Sequence, residues 1–438
     1  MLNKAKLILS NKTLLRRIMI TLGLLLVFKI GAYIAIPLID TTALNSAFQE
    51  NSFLGILNTF SGGALGQFSI FALGISPYIT ASIVIQLLQL VIPKFKEWQE
   101  QGDAGKQKLN RVTRYSSVLL AFIQALALLL GLGVHPSNLL EPLMINNPEL
   151  YILYYIYMAV IITAGSSFVI WLADLITKHG IGNGSSMIIS AGIVSSLPSM
   201  FTTLYGKYLV GETVTTSNIA SFITIIVLYV AVIVGVVFLE AITRKIPINY
   251  ANRQGKSTSD IPIKLNSSGV IPVIFASTLM SLPTTLVGLL GYSADDNTFT
   301  FWINQIFTYT EPLGLMLYVF LVFIFSFFYA FMQIDPEKIN DNLQKSNAFI
   351  QGVRPGDETK NFISKVLFNV TLLGATYLAV LALIPVVMSN VFNFTTAEAG
   401  VITVGGTSLL IVVGVAIETF RQLESEVKDA SVSGLTRD

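Results

Sequence analysis

The sequence contains no cysteine and only 2 histidines in 438 residues. Without cysteine the chain has no disulfide bonds, thiolate metal sites or thiol nucleophiles. Charge is also scarce, because Asp, Glu, Lys and Arg make up 12% of the chain, whereas soluble proteins carry about 25%. In their place, 53% of the residues are hydrophobic and the mean hydropathy is +0.69. This composition predicts a protein that lies mostly in a lipid bilayer.

Ten segments are apolar and long enough to cross a bilayer core of about 30 Å, which requires roughly 20 residues of helix. These spans lie at residues 18–39, 75–92, 116–134, 151–173, 183–201, 219–239, 269–290, 312–333, 366–390 and 401–417. The sequence therefore predicts an all-α membrane protein with ten transmembrane helices.

The distribution of positive charge predicts how these spans are oriented. Of the 27 Lys and Arg residues, 25 precede span 1, follow span 10 or lie in the loops after spans 2, 4, 6 and 8. The alternate loops hold only Lys207, and Lys29 lies inside span 1. Because cytoplasmic loops are enriched in Lys and Arg, we expect both termini on the cytoplasmic side.

Two pairs of segments indicate an internal repeat. GISPYITASIVI (74–85) and GVIPVIFASTLM (269–280) share five of twelve aligned residues, and GNGSSMIISAG (182–192) and GGTSLLIVVG (405–414) share a G-x-S-x-x-I-x-x-G frame. The pairs fall in spans 2 and 7 and in spans 5 and 10. They predict two inverted five-helix halves around a central pore, with residues 1–218 and 219–438 as the halves. Chance matches between residues common in membrane helices are the alternative.

Pro77 and Pro272 occupy equivalent positions in the first pair of segments. We expect each proline to weaken its helix, because proline frees a backbone carbonyl. Broken backbone at membrane depth is tolerated where it is buried in protein or lines a cavity. The two helices are therefore predicted to line a shared space.

The repeats also pair isoleucines, Ile79 with Ile274 and Ile189 with Ile411. Isoleucine is β-branched and stiff, so four such side chains could form a hydrophobic constriction that excludes ions without binding what passes. Ordinary packing of helix against helix is the alternative, and periodicity alone favours it.

Six longer stretches extend these motifs over nearly the whole chain. They are FSGGALGQFSIFALGISPYITASIVIQLL (60–88), PKFKEWQEQGDAGKQKLNRVTRY (93–115), KHGIGNGSSMIISAGIV (178–194), IPIKLNSSGVIPVIFAS (261–277), GVRPGDE (352–358) and GGTSLLIVVGVAIET (405–419). Together they resemble the SecY family, the channel subunits of the Sec protein translocon. The resemblance implies a channel that passes unfolded secretory polypeptides across the membrane and releases hydrophobic segments sideways into lipid.

The resemblance also implies a pore ring and a plug. The ring of mostly aliphatic side chains at the waist of the pore corresponds to Ile75, Ile79, Ser185, Ile189, Ile274 and Ile411, and Ser185 departs from the family's usual aliphatic residue. Residues 60–74 correspond to a movable plug, in which glycines predict a short, marginal helix. These glycines are Gly62, Gly63, Gly66 and Gly74. From the residues alone, an external loop with one interfacial helix is the alternative.

A third implied element is a lateral gate between spans 2–3 and spans 7–8. Thr80, Gln124 and Asn266 correspond to its cluster of polar contacts. Hydrogen bonds between helices in lipid contribute about 0.6–2 kcal/mol each, which suits a seam that a hydrophobic signal sequence can open. Without the resemblance, the same three residues would be interpreted as ordinary structural contacts.

Two long basic loops, residues 240–268 and 334–365, are predicted to dock partners on the cytosolic side. For most of their positive charges, setting the membrane orientation is the alternative role. The resemblance assigns docking to Arg244, Lys245 and Arg354, with the SecA motor ATPase and the ribosome as partners. It further implies SecE and often SecG as membrane subunits, signal sequences and unfolded preproteins as cargo, and a place among the lipids of the cell membrane.

Two other classes of function compete with the channel. An inverted-repeat secondary transporter of small solutes needs ionisable groups at membrane depth, but Asp174, Glu240 and Glu418 lie near cytoplasmic span ends. Nucleophilic catalysis by serine needs an adjacent base, but His135 and His179 lie in or beside loops on opposite membrane faces. We expect no catalytic activity, cofactor or metal ion in this chain.

Overall fold

The computed structural model describes most of the chain. The described residues are 12–37, 58, 61–131, 147, 149–209, 216–250, 259–269, 271–289, 298–308, 311–392 and 396–435. Helices dominate these ranges, and a single small β-sheet accompanies them.

Within the described ranges, the regular secondary structure of the first half of the chain is all helical. The helices are α1 (Lys12–Ala32), α2 (Ser76–Val91), α3 (Pro93–Glu100), α4 (Asp103–Gly131), α5 (Glu149–His179), α6 (Gly184–Leu209) and α7 (Thr216–Ala241). Helix α2 packs against α4, and α4 packs against α5.

The second half adds the sheet to its helices. Its elements are β1 (Thr243–Tyr250), β2 (Ser259–Lys264), α8 (Ile271–Leu289), α9 (Thr298–Phe307), α10 (Pro312–Gln333), α11 (Pro336–Lys345), β3 (Ala348–Ile350), α12 (Asp357–Val391) and α13 (Thr396–Leu435). Helix α8 joins the halves, because it packs against α2 and α4 as well as against α10.

The helices support a multi-pass membrane protein. By length and composition, six described stretches could cross a bilayer: Asp103–Leu130, Leu150–His179, Gly184–Leu209, Thr216–Ala241, Pro312–Lys345 and Asp357–Ile384. The bent pair Ser76–Gln89 and Pro93–Gln99 gives a seventh if it is counted as one span. Helices α1, α8 and α13 occupy the other predicted spans. Ten crossings, and the division into halves at residue 218, remain predictions.

The two equivalent prolines begin their helices instead of interrupting them, so the expectation of weakened helix interiors is wrong. Pro77 lies in the first turn of α2 after the N-cap residue Ile75, and Pro272 is the second residue of α8. The first turn of a helix has no intrahelical partner for its N–H groups, and proline's fixed φ suits that position. Pro77 and Pro272 nevertheless occupy equivalent places, because each is in the first turn of its helix.

The sheet brings together both of the long basic loops. Its strand order is β2–β1–β3, and both pairings are antiparallel. Buried side chains of the sheet, including Ile246, Ile263 and Ile350, form one hydrophobic cluster with Leu343 of α11 and Leu367 of α12. Residues 251–258 of the first loop lie outside the described residues.

Candidate functional site

Five of the six predicted ring residues are buried in the same large hydrophobic cluster. These residues are Ile75, Ile79, Ile189, Ile274 and Ile411. They come from the N-cap of α2, from α2 itself, from α6, from α8 and from α13. Residues from both predicted halves of the chain therefore contribute to the same hydrophobic cluster.

Ser185 is placed differently from the five isoleucines. It is the second residue of α6, it is half-buried, and it is not a member of the hydrophobic cluster. Its hydroxyl donates to Oδ1 of Asn183 at 2.7 Å, and its backbone N–H donates to the same oxygen at 3.1 Å. Ser185 thus takes part in a polar turn at the start of α6.

The predicted plug consists of turns where a short helix was expected. Residue 60 lies outside the described residues, and residues 61–75 form successive turns apart from a single β-bridge residue, Ser69. The backbone φ is positive at Gly62, Gly63, Gly74 and, unusually for a larger side chain, Phe68. Such left-handed residues interrupt helical geometry, which explains why a regular helix does not form.

An aromatic stack fixes the plug segment to the first half. Phe71 stacks between Phe28 of α1 and Phe168 of α5, with ring centroids 6.1 Å and 5.9 Å away. Gly31 gives the Phe71 ring its space, because a Cβ at Gly31 would lie 2.0 Å from a ring carbon. Gly165 gives space to the backbone of the predicted plug, since a Cβ at Gly165 would lie 1.8 Å from the Ile70 carbonyl oxygen.

Backbone hydrogen bonds add to this attachment. The Ile36 N–H donates to the Phe68 carbonyl at 2.9 Å, and the Ile70 N–H donates to the Ile34 carbonyl at 3.0 Å. These two bonds flank an isolated antiparallel bridge between Ala35 and Ser69. These contacts hold the segment beside the end of α1.

The predicted polar cluster of the lateral gate is not joined by hydrogen bonds among its own members. The Thr80 hydroxyl donates to the Ser76 carbonyl of its own helix at 3.1 Å. Asn266 donates from Nδ2 to Oε1 of Glu240 at 2.9 Å. Among the described residues, the buried Oε1 of Gln124 has no hydrogen-bond partner.

A hydrogen bond between α2 and α10, on the two sides of the predicted lateral gate, was missed by the sequence analysis. The Tyr329 hydroxyl of α10 donates to Oε1 of Gln86 on α2. Gln86 is held in turn by its Nε2, which donates to the Ser82 hydroxyl at 3.0 Å. The ring of Phe275 on α8 meets the Tyr329 ring edge-on at 4.9 Å. A glutamine four residues after a serine on the same helix was the available signal.

The predicted docking residues lie on or beside the three-stranded sheet. Arg244 and Lys245 are exposed on β1, where they pair with Ile263 and Pro262 of β2. Arg354 is exposed in the turn between β3 and α12, and its carbonyl accepts a hydrogen bond from the Thr359 hydroxyl at 2.8 Å. Because β3 pairs with β1, the two predicted docking loops share one sheet.

Comparison with known proteins identifies the family. The SecY family model matches residues 69–420. The chain belongs to the SecY family. The protein translocase subunit SecY of Staphylococcus carnosus is 42% identical over 97% of each chain, and that of Bacillus subtilis is 43% identical over 96% of each chain.

Solved structures agree on the SecY fold. A structure described as a protein-conducting channel has a TM-score of 0.63 at 18% identity and covers 95% of this chain and 93% of its own. Sec61 in a canine ribosome–channel complex from the endoplasmic reticulum has a TM-score of 0.60 at 18% identity, over 95% and 93% of the two chains. Membership of the SecY family supersedes the solute-transporter alternative.

Proposed function

We propose that this chain is the channel-forming subunit of a protein translocase and passes unfolded secretory polypeptides across a membrane. The observation that carries the proposal is the burial of the five predicted ring isoleucines in one large hydrophobic cluster, to which Ala64 and Phe71 of the plug segment also belong. We call these five residues the isoleucine cluster. An apolar constriction offers a passing chain no binding site, and it resists ions when it is empty. A plug packed against that constriction closes it further.

Hydrophobic segments leave this channel sideways, between α2 and α4 on one side and α8 and α10 on the other. The contact of α8 with α2 and α4 supports this route, because it places the two halves of the chain against each other along one line. The hydrogen bond from Tyr329 to Gln86 crosses the same line. We call this line the lateral seam.

Partners bind the cytosolic sheet. Arg244, Lys245 and Arg354 are exposed there, and positively charged side chains suit acidic protein surfaces and ribosomal RNA. The matching Sec61 channel was solved in a complex with a ribosome, which supports a ribosome as one partner. We assign SecA to the same surface, and SecE and SecG to the membrane-facing sides of the helices.

The chain lies in the cell membrane with both termini in the cytoplasm. The concentration of Lys and Arg in alternate loops supports this orientation, because such loops remain on the cytoplasmic side. The cytosolic sheet lies on the same side under this assignment.

Crosslinking to a stalled precursor tests the proposed pore. The chain has no cysteine of its own, so Ile79→Cys introduces a single thiol into the isoleucine cluster. A second thiol is placed in a secretory precursor that is halted midway by a folded domain at its end. Oxidation is expected to give a disulfide-linked product between the two chains.

Val84→Cys is the matched control on the same helix, because Val84 is 41% exposed while Ile79 is 8% exposed. The Val84 variant should give no product. Protection of part of the precursor from protease verifies that it has stalled. Absence of a product at Ile79, and at Ile189 and Ile411 in parallel variants, would contradict a polypeptide-conducting pore.

A further inference from the structure

Lys29 is the one charged residue well inside a predicted span, and the structure shows what its ammonium group contacts. Nζ donates to the carbonyl oxygen of Gly62 in the plug at 2.7 Å, and to the hydroxyl of Ser195 on α6 at 2.7 Å. The ring of Tyr33 lies 5.1 Å from Nζ. Two oxygen atoms and an aromatic face thus match the three N–H donors of the ammonium group.

The Gly62 carbonyl reaches this position because Gly62 has no side chain. A Cβ at Gly62 would lie 2.9 Å from Cα of Gly192 on α6, and φ of Gly62 is +71°. The plug backbone therefore lies directly against the backbone of α6 at this point. The Ser195 hydroxyl completes the arrangement, because it lies 2.7 Å from the Gly192 carbonyl and 3.4 Å from the Gly62 carbonyl.

The contact between Lys29 and the plug differs from an ordinary ion pair. Among the ion pairs of the described residues, none involves Lys29. The ammonium group is instead neutralised in part by backbone and hydroxyl dipoles, one of which belongs to the plug. Removing the plug would leave a half-buried charge with one oxygen partner fewer.

We propose that Lys29 is a positioning residue that latches the plug in its closed place, through the Gly62 carbonyl and with Ser195 as the support on α6. This inference rests on the proposed function, since it takes residues 61–74 as the plug. The latch joins three elements: α1, the plug segment and α6. A translocating chain must break it, so the latch sets part of the threshold that a signal sequence has to overcome.

Opening of the plug can be measured through a buried thiol. Ser69 is fully buried in the plug segment, and Ser69→Cys is the only thiol in the resulting chain. Its alkylation by a membrane-impermeant maleimide, added to the full-length protein in membrane vesicles, reports how often the plug leaves. In Lys29→Met, which has a similar length and no donor, alkylation should be about tenfold faster, because one charge-assisted hydrogen bond corresponds to at least that factor in an equilibrium.

Three controls accompany this measurement. Lys207→Met removes a lysine in the last turn of α6 and should leave the alkylation rate unchanged. Ser326→Cys, buried on α10, should stay unlabelled in both lysine variants and so reports global unfolding. Ser195→Ala keeps the Gly62 contact and should accelerate alkylation of Ser69→Cys by less, about threefold.

If Lys29→Met changes the alkylation rate of Ser69→Cys by less than twofold, relative to the protein that retains Lys29, the latch is overturned. If Lys29→Met also exposes the thiol at position 326, Ser195→Ala becomes the deciding variant, and an unchanged rate there would overturn the latch as well. Acceleration confined to Ser69→Cys would support it.

Translocation assays separate the latch from the proposed function. A precursor with a weakened signal sequence should cross at least fivefold more efficiently through Lys29→Met, while a normal precursor should cross as before. A chain that translocates no precursor would overturn the proposed function, and the alkylation result would still decide whether Lys29 holds the segment. If Lys29→Met translocates normal precursors, still rejects the weakened signal sequence and shows an unchanged alkylation rate, the latch is overturned and the proposed function stands.

Discussion

The hydroxyl of Tyr329 on α10 donates a hydrogen bond to Oε1 of Gln86 on α2, across the lateral seam. These residues are 243 positions apart in the sequence, and they belong to different predicted halves. The same tyrosine ring meets Phe275 of α8 edge-on. Tyr329 therefore makes two contacts at the seam: a hydrogen bond to α2 through its hydroxyl and a ring contact with α8.

Replacing Tyr329 by phenylalanine should lower the hydrophobicity that a segment needs to enter the membrane. The substitution keeps the ring against Phe275 and removes the hydrogen bond, which is worth about 0.6–2 kcal/mol in lipid. A leucine at a helix centre contributes roughly 0.3–0.6 kcal/mol to insertion. We expect the threshold for half-maximal insertion, measured with test segments of graded leucine content, to fall by about one to six leucines.

Gln86→Leu should produce a shift of the same sign, because it removes the acceptor of the same hydrogen bond. Tyr157→Phe serves as the control, since Tyr157 is exposed on α5, which is not one of the four helices that form the seam. An unchanged threshold in both seam variants would show that this hydrogen bond does not hold the channel closed.

The polar contacts at the seam show the limit of the sequence analysis. Thr80, Gln124 and Asn266 could be chosen from the resemblance, but a sequence does not specify which acceptor each side chain meets. The structure gives Thr80 and Asn266 partners outside the trio, Ser76 and Glu240. Gln86 carried a local signal, yet its partner Tyr329 could be found only once the helices were packed.

The plug illustrates a second limit. Its glycines were expected to give a short, marginal helix, and turns were found instead. The turns depend on tertiary contacts, because the Phe71 ring occupies space beside Gly31, and the Ile70 carbonyl occupies space beside Gly165. Such close approaches are set by how α1 and α5 pack and leave no periodic pattern in the sequence.

The apolar parts of the fold were more accessible to prediction. Long hydrophobic runs determined where helices lie, and the paired repeats selected Ile79, Ile189, Ile274 and Ile411, which the structure gathers in one cluster. The three-stranded sheet was not predicted, because β3 has only 3 residues and its pairing with β1 is non-local.

Replacing Ile411 by asparagine should loosen the closed channel. Ile411 is buried in the isoleucine cluster, where an amide lacks the water it would need for its hydrogen bonds. We expect precursors with defective signal sequences to be exported at least fivefold more efficiently, with normal precursors little affected. Export is measured by cleavage of the precursor in cells that carry the variant.

Ile411→Val is the matched control for this substitution. It preserves the β-branched, apolar character and removes one methylene, which typically costs about 0.5–1.5 kcal/mol in a core. Signal-sequence stringency should therefore remain near that of the unsubstituted protein. Equal stringency in the asparagine and valine variants would count against the ring assignment of Ile411.

Reversing the charge of Arg354 should impair coupling to a cytosolic motor without damaging the fold. Arg354 is exposed in the turn after β3, and exposed substitutions usually change stability by no more than about 0.5 kcal/mol. Arg354→Glu is expected to reduce SecA-dependent translocation at least tenfold while the protein accumulates normally in the membrane. Translocation-stimulated ATP hydrolysis by SecA gives the measurement.

Lys345→Glu provides the comparison, because Lys345 is exposed at the end of α11, close in sequence to the same turn. It reverses the same sign of charge outside the predicted docking residues and should retain most of the activity. A loss of equal size in both variants would indicate general repulsion of the partner instead of a specific contact at Arg354.

The ion pair between Arg421 and Glu240 should stabilise the protein more than the pair between Arg17 and Glu426. In the first pair, the side chains of Arg421 and Glu240 are 32% and 9% exposed and their charged atoms are 3.4 Å apart. In the second pair, Arg17 and Glu426 are 45% and 26% exposed and 2.9 Å apart. Removing the partner of a buried charge costs several kcal/mol, whereas exposed pairs contribute about 0–1 kcal/mol.

Thermal unfolding of Arg421→Met and Arg17→Met in detergent therefore gives a direct comparison. We expect a loss of about 1–3 kcal/mol in Arg421→Met, reduced from the fully buried value because water reaches the guanidinium, and a loss under about 1 kcal/mol in Arg17→Met. Adding Glu240→Gln to Arg421→Met should recover part of the loss, because the unpaired charge is then gone while Asn266 can still bond to the amide oxygen. Equal midpoints in the two single variants would mean that Lys264, Asn266 and water stabilise Glu240 sufficiently without Arg421.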